Sequence, residues 1–269
     1  MLSGQDPSLY QILIPIADPD QLAISLAVAV PLARARQGRV VPLLVAAEEA
    51  PPPWLIIPQE LRDVVAAPIV AVGRKVGEVI WAYARELPAK LLLVHWKGRP
   101  SRGRYLLGRT LDPVIQYAPC DVAVVRSGEE PHAFVARVHG LRRVLVPTGG
   151  GPNAALALEL ALALGPDIQV TALRVANPHL GATALSAEWD MLRGVLAPWA
   201  QEERLRPRVI LSSSVMPGIL EEAQQGYDLV LIGATGESLV DRLLFGNLPQ
   251  ELALRLPLPL IIVRHHDPL

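Results

Sequence analysis

Residues 229–264 read LVLIGATGESLVDRLLFGNLPQELALRLPLPLIIVR, and residues 91–126 read LLLVHWKGRPSRGRYLLGRTLDPVIQYAPCDVAVVR. The two align without a gap at a constant shift of 138 residues. Gly98 falls on Gly236, Arg104 on Arg242, Leu106 on Leu244, Gly108 on Gly246, Pro119 on Pro257 and Arg126 on Arg264. A repeat of this length sets the fold before any single element is read. The chain is two copies of one unit in tandem.

Outward from this stretch the units keep matching. Ile12-Leu13-Ile14-Pro15 resembles Val144-Leu145-Val146-Pro147. Each is followed by an alanine- and leucine-rich helical segment (21–36 and 153–164), then by an apolar strand (40–45 and 170–175). The first half is expected to carry strands near 11–16, 40–46, 67–72, 90–95 and 121–126. The second is expected to carry them near 143–148, 168–175, 207–213, 228–233 and 259–264. These are continuous apolar runs, as in a parallel sheet buried on both faces. Their alternation with helical patterns points to right-handed βαβ units. The expected domains are 1–127 and 142–269, joined by a linker over 128–141. Gly128, Glu129, Glu130 and Pro131 give that linker a polar, helix-breaking start.

Bulk properties exclude several functions. In 269 residues the formal net charge is -1, and aromatic residues make up 4%. That balance gives no electrostatic pull toward nucleic acid, and the aromatics are too few for base-stacking platforms. The single cysteine, Cys120, forms no internal disulfide and is expected to be an inert thiol near the core. No signal peptide and no apolar run of membrane-spanning length is visible, so a cytoplasmic location is expected. The segment 22–35 reads as a buried helix.

In open α/β sheets ligands bind beyond the carboxyl ends of the strands. In the second half, the first strand ends in Pro147-Thr148-Gly149-Gly150-Gly151-Pro152-Asn153. Three glycines let backbone approach a ligand, and the next helix start offers free N–H groups to a phosphate. A plain glycine-rich turn reads equally well there. The fourth strand ends in Gly233-Ala234-Thr235-Gly236, and further on come Gly246, Asn247 and Leu248. Together these place backbone amides around a triphosphate-sized anion.

These motifs resemble the universal stress protein family, whose signature is Gly-x-x-Gly, nine residues, then Gly and a hydroxyl residue. Gly233, Gly236 and Gly246 match it, with Asn247 in place of the hydroxyl. The family's opening strand is matched by 144–147, with Gly149 replacing its aspartate, and its closing strand by 259–263. The resemblance implies two tandem open parallel five-stranded sheets with flanking helices, Rossmann-like and of the adenine nucleotide alpha hydrolase type. It also implies a bound adenine nucleotide, ATP or a relative, with or without Mg. Pro147, Thr148 and Val175 would hold the adenosine, and the glycine loop the phosphates. The last strands, 121–126 and 259–264, are expected to meet antiparallel as an intramolecular pseudo-dimer, and the whole chain is a candidate for homodimerisation. A closer resemblance is to paired stress-protein domains appended to bacterial amino-acid permeases and cation antiporters. It implies a membrane transporter as partner and a nucleotide, cyclic dinucleotides included, as signal.

The first half departs from the signature. His95 stands at the first glycine and Arg109 at the hydroxyl, and the first loop carries Asp18 and Asp20, which repel phosphate. Lys97, Arg99, Arg102, Arg104 and Arg109 crowd its glycine loop, either as a solvated face or as an anion trap. The second half is expected to hold the better site and the first to be degenerate. Ser212–Ser214 reads as a cap for the next helix, and Glu221-Glu222 as ordinary helix surface. The six histidines show no metal spacing, and no general acid, base or Walker lysine is evident. A ligand-binding regulator without catalysis is therefore expected. The competing readings are an interaction module that has lost its ligand and a slow ATP-hydrolysing enzyme.

Overall fold

The computed structural model describes residues 9–97, 107, 110–180, 182–234 and 247–267. In the first half the strands are β1 (Gln11–Ile16), β2 (Arg39–Ala46), β3 (Ile69–Val72), β4 (Leu91–His95) and β5 (Asp121–Arg126). Its helices are α1 (Pro19–Ala35), α2 (Val76–Glu86) and α3 (Leu111–Gln116). Then come α4 (Pro131–His139), β6 (Arg143–Pro147), α5 (Gly151–Ala163), β7 (Gln169–Ala176), α6 (Ala182–Leu196) and β8 (Leu205–Leu211). The chain ends with α7 (Val215–Ala223), β9 (Leu229–Gly233), α8 (Asn247–Arg255) and β10 (Leu260–Arg264). All ten expected strands are present, within two residues of the expected limits at most ends.

All the strands join one sheet, in the order β3-β2-β1-β4-β5-β10-β9-β6-β7-β8. Within each half every pairing is parallel; the halves meet where β10 runs antiparallel to β5, with Ile262 opposite Val124. The expected meeting of the last strands therefore takes place, and it fuses the two five-stranded sheets into one. Antiparallel pairing also points the carboxyl ends of the two halves at opposite rims. In each half the chain leaves neighbouring strands in opposite directions at one position, β1/β4 and β6/β9. These are the switch points where such sheets open a crevice.

Alternation along each strand sends side chains to two separate cores. Ile12, Ile14, Val144 and Val146 face α1 and α5, while Leu13, Val124, Leu145 and Ile262 face α2, α3, α7 and α8. Burial on both faces is why these strands read as continuous apolar runs. Both outermost strands discourage further pairing: β3 is short, and β8 carries Arg206, Pro207 and Arg208, all exposed.

The local signals for α1 are clear. Asp18 accepts from the N–H of Gln21 and Pro19 begins the helix. At its other end Gln37 has φ 52, Gly38 N–H reaches Ala33 O at 2.7 Å and Gln37 N–H reaches Arg34 O at 3.2 Å. That is the Schellman arrangement.

The stretch expected as a linker contains a helix. Pro131, expected to break helical structure, instead sits in the first turn of α4, where its missing N–H costs nothing. Phe134 is wholly buried and joins the core beneath α1. Two arginines 138 residues apart tie the halves further. Buried Arg126 donates to Leu256 O and Leu258 O, at 2.9 and 2.6 Å, beyond the end of α8. Arg264 donates to Gln116 O at the end of α3. Each cation meets the negative end of the other half's last helix.

Because α4 is part of the core, Phe134→Ala is expected to cost about 3–5 kcal/mol, the usual range for a large buried ring. Urea denaturation followed by circular dichroism measures it; a loss below about 1 kcal/mol would show that α4 is only a tether.

Candidate functional site

The loops after β6 and β9 lie on the same rim and touch. Asn153, in the first turn of α5, donates from Nδ2 to Ala234 O at 2.9 Å. Its Oδ1 accepts from the N–H of His265 at 2.7 Å. A Cβ placed on Gly233 would lie 2.7 Å from both C and O of Asn153. The first glycine of the signature is thus required by the close approach of helix α5 to the end of β9.

The loop before α5 is open. Gly150 (φ 92) and Gly151 (φ 80) adopt a backbone that side chains rarely take. A Cβ on Gly149 or Gly151 would meet nothing within 4 Å. Gly150 caps α5 with no side-chain hydrogen bond, so the positive end of that helix has no acid of its own. Thr148 is buried; its N–H donates to Leu173 O at 2.9 Å and its Oγ1 accepts from the N–H of Gly150 at 3.3 Å. Pro147 is the last residue of β6, beside Leu173 of β7.

Beside this loop, Arg174 forms an ion pair through Nε with Glu188 of α6 and donates to Thr148 O at 3.3 Å. The two side chains are only 13% and 21% exposed, so this pair is more than a surface ornament. Val175 turns to the opposite face, where its side chain lies against Gly218 of α7. Leu248 likewise packs into the core on that face. Asn247 begins α8. Gly236 and Gly246 lie outside the described residues, as do Gly98, Arg99, Arg102, Arg104, Gly108 and Arg109.

The far end of β10 brings the first half to this rim. His265 Nδ1 lies 2.9 Å from Asp121 Oδ1, and that oxygen also accepts from the N–H of His266 at 2.8 Å. Asn153, Arg174, Glu188 and Asp121 were not read as a group from the sequence. Their partners lie up to 145 residues away, and no short motif links them.

The corresponding rim of the first half is closed by its own charge. Asp18 fills the α1 N-terminus with its carboxylate, and Lys97 Nζ lies 3.1 Å from Asp18 Oδ2. Burial pushes the Asp18 carboxyl up, but the Gln21 N–H and the Lys97 ammonium outweigh it and hold it below the ordinary value. Gln21, the counterpart of Asn153, turns back to accept from the N–H of Ala17. His95 occupies the place of Gly233, with neither ring nitrogen hydrogen-bonded and both out of contact with water. Burial lowers its pKa to about 4; the carboxylates of Asp18 and Asp20 pull the other way, and Lys97 adds to the lowering.

Other expectations resolve as follows. Cys120 is buried, and burial pushes its pKa up to about 12, which leaves no thiolate for chemistry near neutrality. Ser214 stands at the cap of α7 but its hydroxyl makes no capping bond. Glu222 is buried rather than surface: it accepts from Tyr227 Oη at 2.9 Å and pairs with Arg208 at 2.7 Å. No group of three or more His, Cys, Asp or Glu among the described residues is placed to hold a metal ion. No helix among them is long and apolar enough to cross a membrane.

Two outcomes are expected. Gly233→Ala forces β9 and α5 apart and is expected to cost roughly 1–3 kcal/mol, as overpacking does; an unchanged melting curve would contradict the close approach. His95 stays neutral in the folded chain but protonates near 6.5 when unfolded. Stability should therefore fall as pH drops from about 6.5 toward 4, by about 2–3 kcal/mol at most, and level off below. His95→Gln should flatten that window in denaturant titrations at several pH values; an identical slope would place the effect elsewhere.

Comparison with known proteins agrees with this architecture. A protein of unknown function from Pseudomonas aeruginosa superposes with a TM-score of 0.65 at 16% identity, over 96% of this chain and 94% of that one. A universal stress protein from Archaeoglobus fulgidus gives 0.61 at 14% identity, over 96% and 97%. The cytoplasmic domain of a prokaryotic cation chloride cotransporter gives 0.63 at 13% identity, over 95% of each chain. At these identities the likeness is one of fold. The model of the universal stress protein family matches residues 57–126 and again 140–264, most of the chain and both repeats. The chain belongs to the universal stress protein family, as a tandem member with both units in one sheet.

Proposed function

We propose that this protein is a regulatory module that binds one adenine nucleotide, ATP, AMP or a cyclic dinucleotide, in its second half. The observation that carries the reading is the contrast between the two helix starts. In the first half a carboxylate of the chain itself fills the N-terminus of α1. In the second, α5 has no side-chain cap, and the Cβ positions of Gly149 and Gly151 face open space at a switch point. An anion is the natural complement of that end. Pro147, Thr148, Gly149, Gly150 and the backbone of Val175 would border the adenosine. Gly233, Gly236, Gly246, Asn247 and Leu248 belong to the stretch that would border the phosphates. Gly149 leaves the nucleotide without the acid the family usually offers, and any Mg would depend chiefly on phosphate oxygens. Among the described residues no nucleophile with a base in reach favours hydrolysis.

A transporter partner is a further part of the reading. Its support is the likeness, along nearly the whole of both chains, to the cotransporter's cytoplasmic domain. In-cell cross-linking followed by mass spectrometry should then recover a membrane transporter; recovery of soluble proteins alone would speak against it.

Binding to the native state raises apparent stability, by about 2.7 kcal/mol at a hundredfold excess over Kd. ATP, AMP or a cyclic dinucleotide is expected to raise the melting temperature of the wild-type chain and to give a calorimetric isotherm. Gly236→Asp, which puts a carboxylate into the glycine signature, is expected to remove both signals. No shift with any of the three ligands at millimolar concentration would leave the interaction-module reading in its place.

A further inference from the structure

We infer that Glu188 is a built-in competitor for the ligand: a negatively charged group arriving at the start of α5 takes its place on Arg174 and releases helix α6. The inference rests on the nucleotide reading above and adds a means of regulation to it. Arg174 stands between the glycine run and α6. From β7 its Nη1 donates to Thr148 O at 3.3 Å, and its Nε pairs with Glu188. Its Nη2 reaches only the sulfur of Met191, at 3.6 Å. A guanidinium carries five N–H donors in a planar fork and binds a carboxylate best through two of them at once. Two other pairs in this chain do so: Arg137 gives Nε and Nη2 to Glu129, and Arg204 gives Nε and Nη2 to Glu202. Arg174 gives Glu188 one donor, and its Nη2 is left with a thioether, a weak acceptor. A largely buried cation therefore stands beside the residue before Gly149 with part of its fork unused. An anion at the open start of α5 competes with the Glu188 carboxylate for that cation.

Helix α6 is packed so that it can come away. Among its described side chains Leu192 alone is buried, and Met191 is exposed. Gly194 weakens the helix from within, on a side that meets nothing within 4 Å. Helix α5, by contrast, buries Leu156, Leu158 and Leu160. Segments with few buried apolar contacts open at low cost. Helix α6 also rests on the glycine run, since a Cβ on Gly150 would lie 3.3 Å from Val195. A change at the run is thus felt by the helix. The first half has no such device. Pro15 pairs with Leu43 as Pro147 pairs with Leu173, so the counterpart of Arg174 is Leu44. Between β2 and β3 there is a short 3-10 turn (Gln59–Leu61) and no α-helix. The competitor occurs in the half with the open helix start.

The test is calorimetry with ATP on wild type, Glu188→Gln, Arg174→Met and the double variant. Glu188→Gln is expected to bind ATP about fivefold or more tightly than wild type, because the amide gives up Arg174 more readily than the carboxylate does. Arg174→Met, which keeps the aliphatic stem, is expected to bind ATP about tenfold more weakly. In the Arg174→Met background the gain from Glu188→Gln is expected to vanish, since the competition runs through the guanidinium. Amide hydrogen exchange on wild type needs no variant: ATP is expected to speed exchange over Glu188–Val195. An ion pair that only holds the fold predicts the opposite signs, with unchanged or weaker binding by Glu188→Gln and unchanged or slower exchange in α6. Either result, or a gain from Glu188→Gln that persists without Arg174, overturns the inference. Wild type that gives no heat with ATP overturns the nucleotide reading itself; wild type that binds ATP without loosening α6 overturns the competition alone.

Discussion

The antiparallel pairing of β5 with β10 is the constraint on which the rest depends. Each half alone would expose its last strand as an open edge, a template for unwanted pairing. Joining the edges covers ten residues in register, eight of them apolar, from Val122 to Arg126 against Leu260 to Arg264. It creates one sheet with two continuous cores, and the arginines at the ends of both strands fasten each half to the helix end of the other. It also decides where ligands can go. Since the halves run in opposite directions, their crevices open on opposite rims, and each rim pairs the carboxyl ends of one half with the amino ends of the other. Asp121 of the first half therefore stands beside His265 at the second half's crevice.

Within that near-symmetric frame the two crevices have diverged through a few residues. Asp18 gives the first half its own anion, Lys97 neutralises it, and His95 fills the position of a glycine without finding a hydrogen-bond partner. A buried imidazole with no partner is costly to charge, which is why its pKa falls so far. The second half shows the reverse pattern: glycines in place of side chains, a helix start without an acid, and an asparagine tying the loop from behind. The same fold thus supports one self-sealed rim and one open rim, and function follows the site rather than the fold.

Much of this was legible in the chain itself. The strands could be read because burial on both faces makes them unbroken apolar runs, and the gapless match of 91–126 with 229–264 gave the tandem order. The weakness of the first half was visible in Asp18, Asp20 and His95. What could not be read depends on contacts across the fold. Pro131 looked like the start of a loop, yet proline also opens helices, and only the packing of Phe134 under α1 separates the two meanings. Glu222 looked like surface because Arg208 and Tyr227 reach it from other elements. Strand alternation sends the Val175 side chain toward Gly218 of α7, a contact that no local motif announces. Asn153 stood at the end of a quoted glycine run, and nothing local revealed that its partners are Ala234 and His265.

The proposed function puts one nucleotide on the open rim and none on the self-sealed rim. Native mass spectrometry of the intact chain titrated with ATP counts bound nucleotides directly. One nucleotide per chain, saturating without a second adduct, is the predicted result. Two equivalent adducts per chain, or none at any concentration that keeps the protein folded, would contradict it.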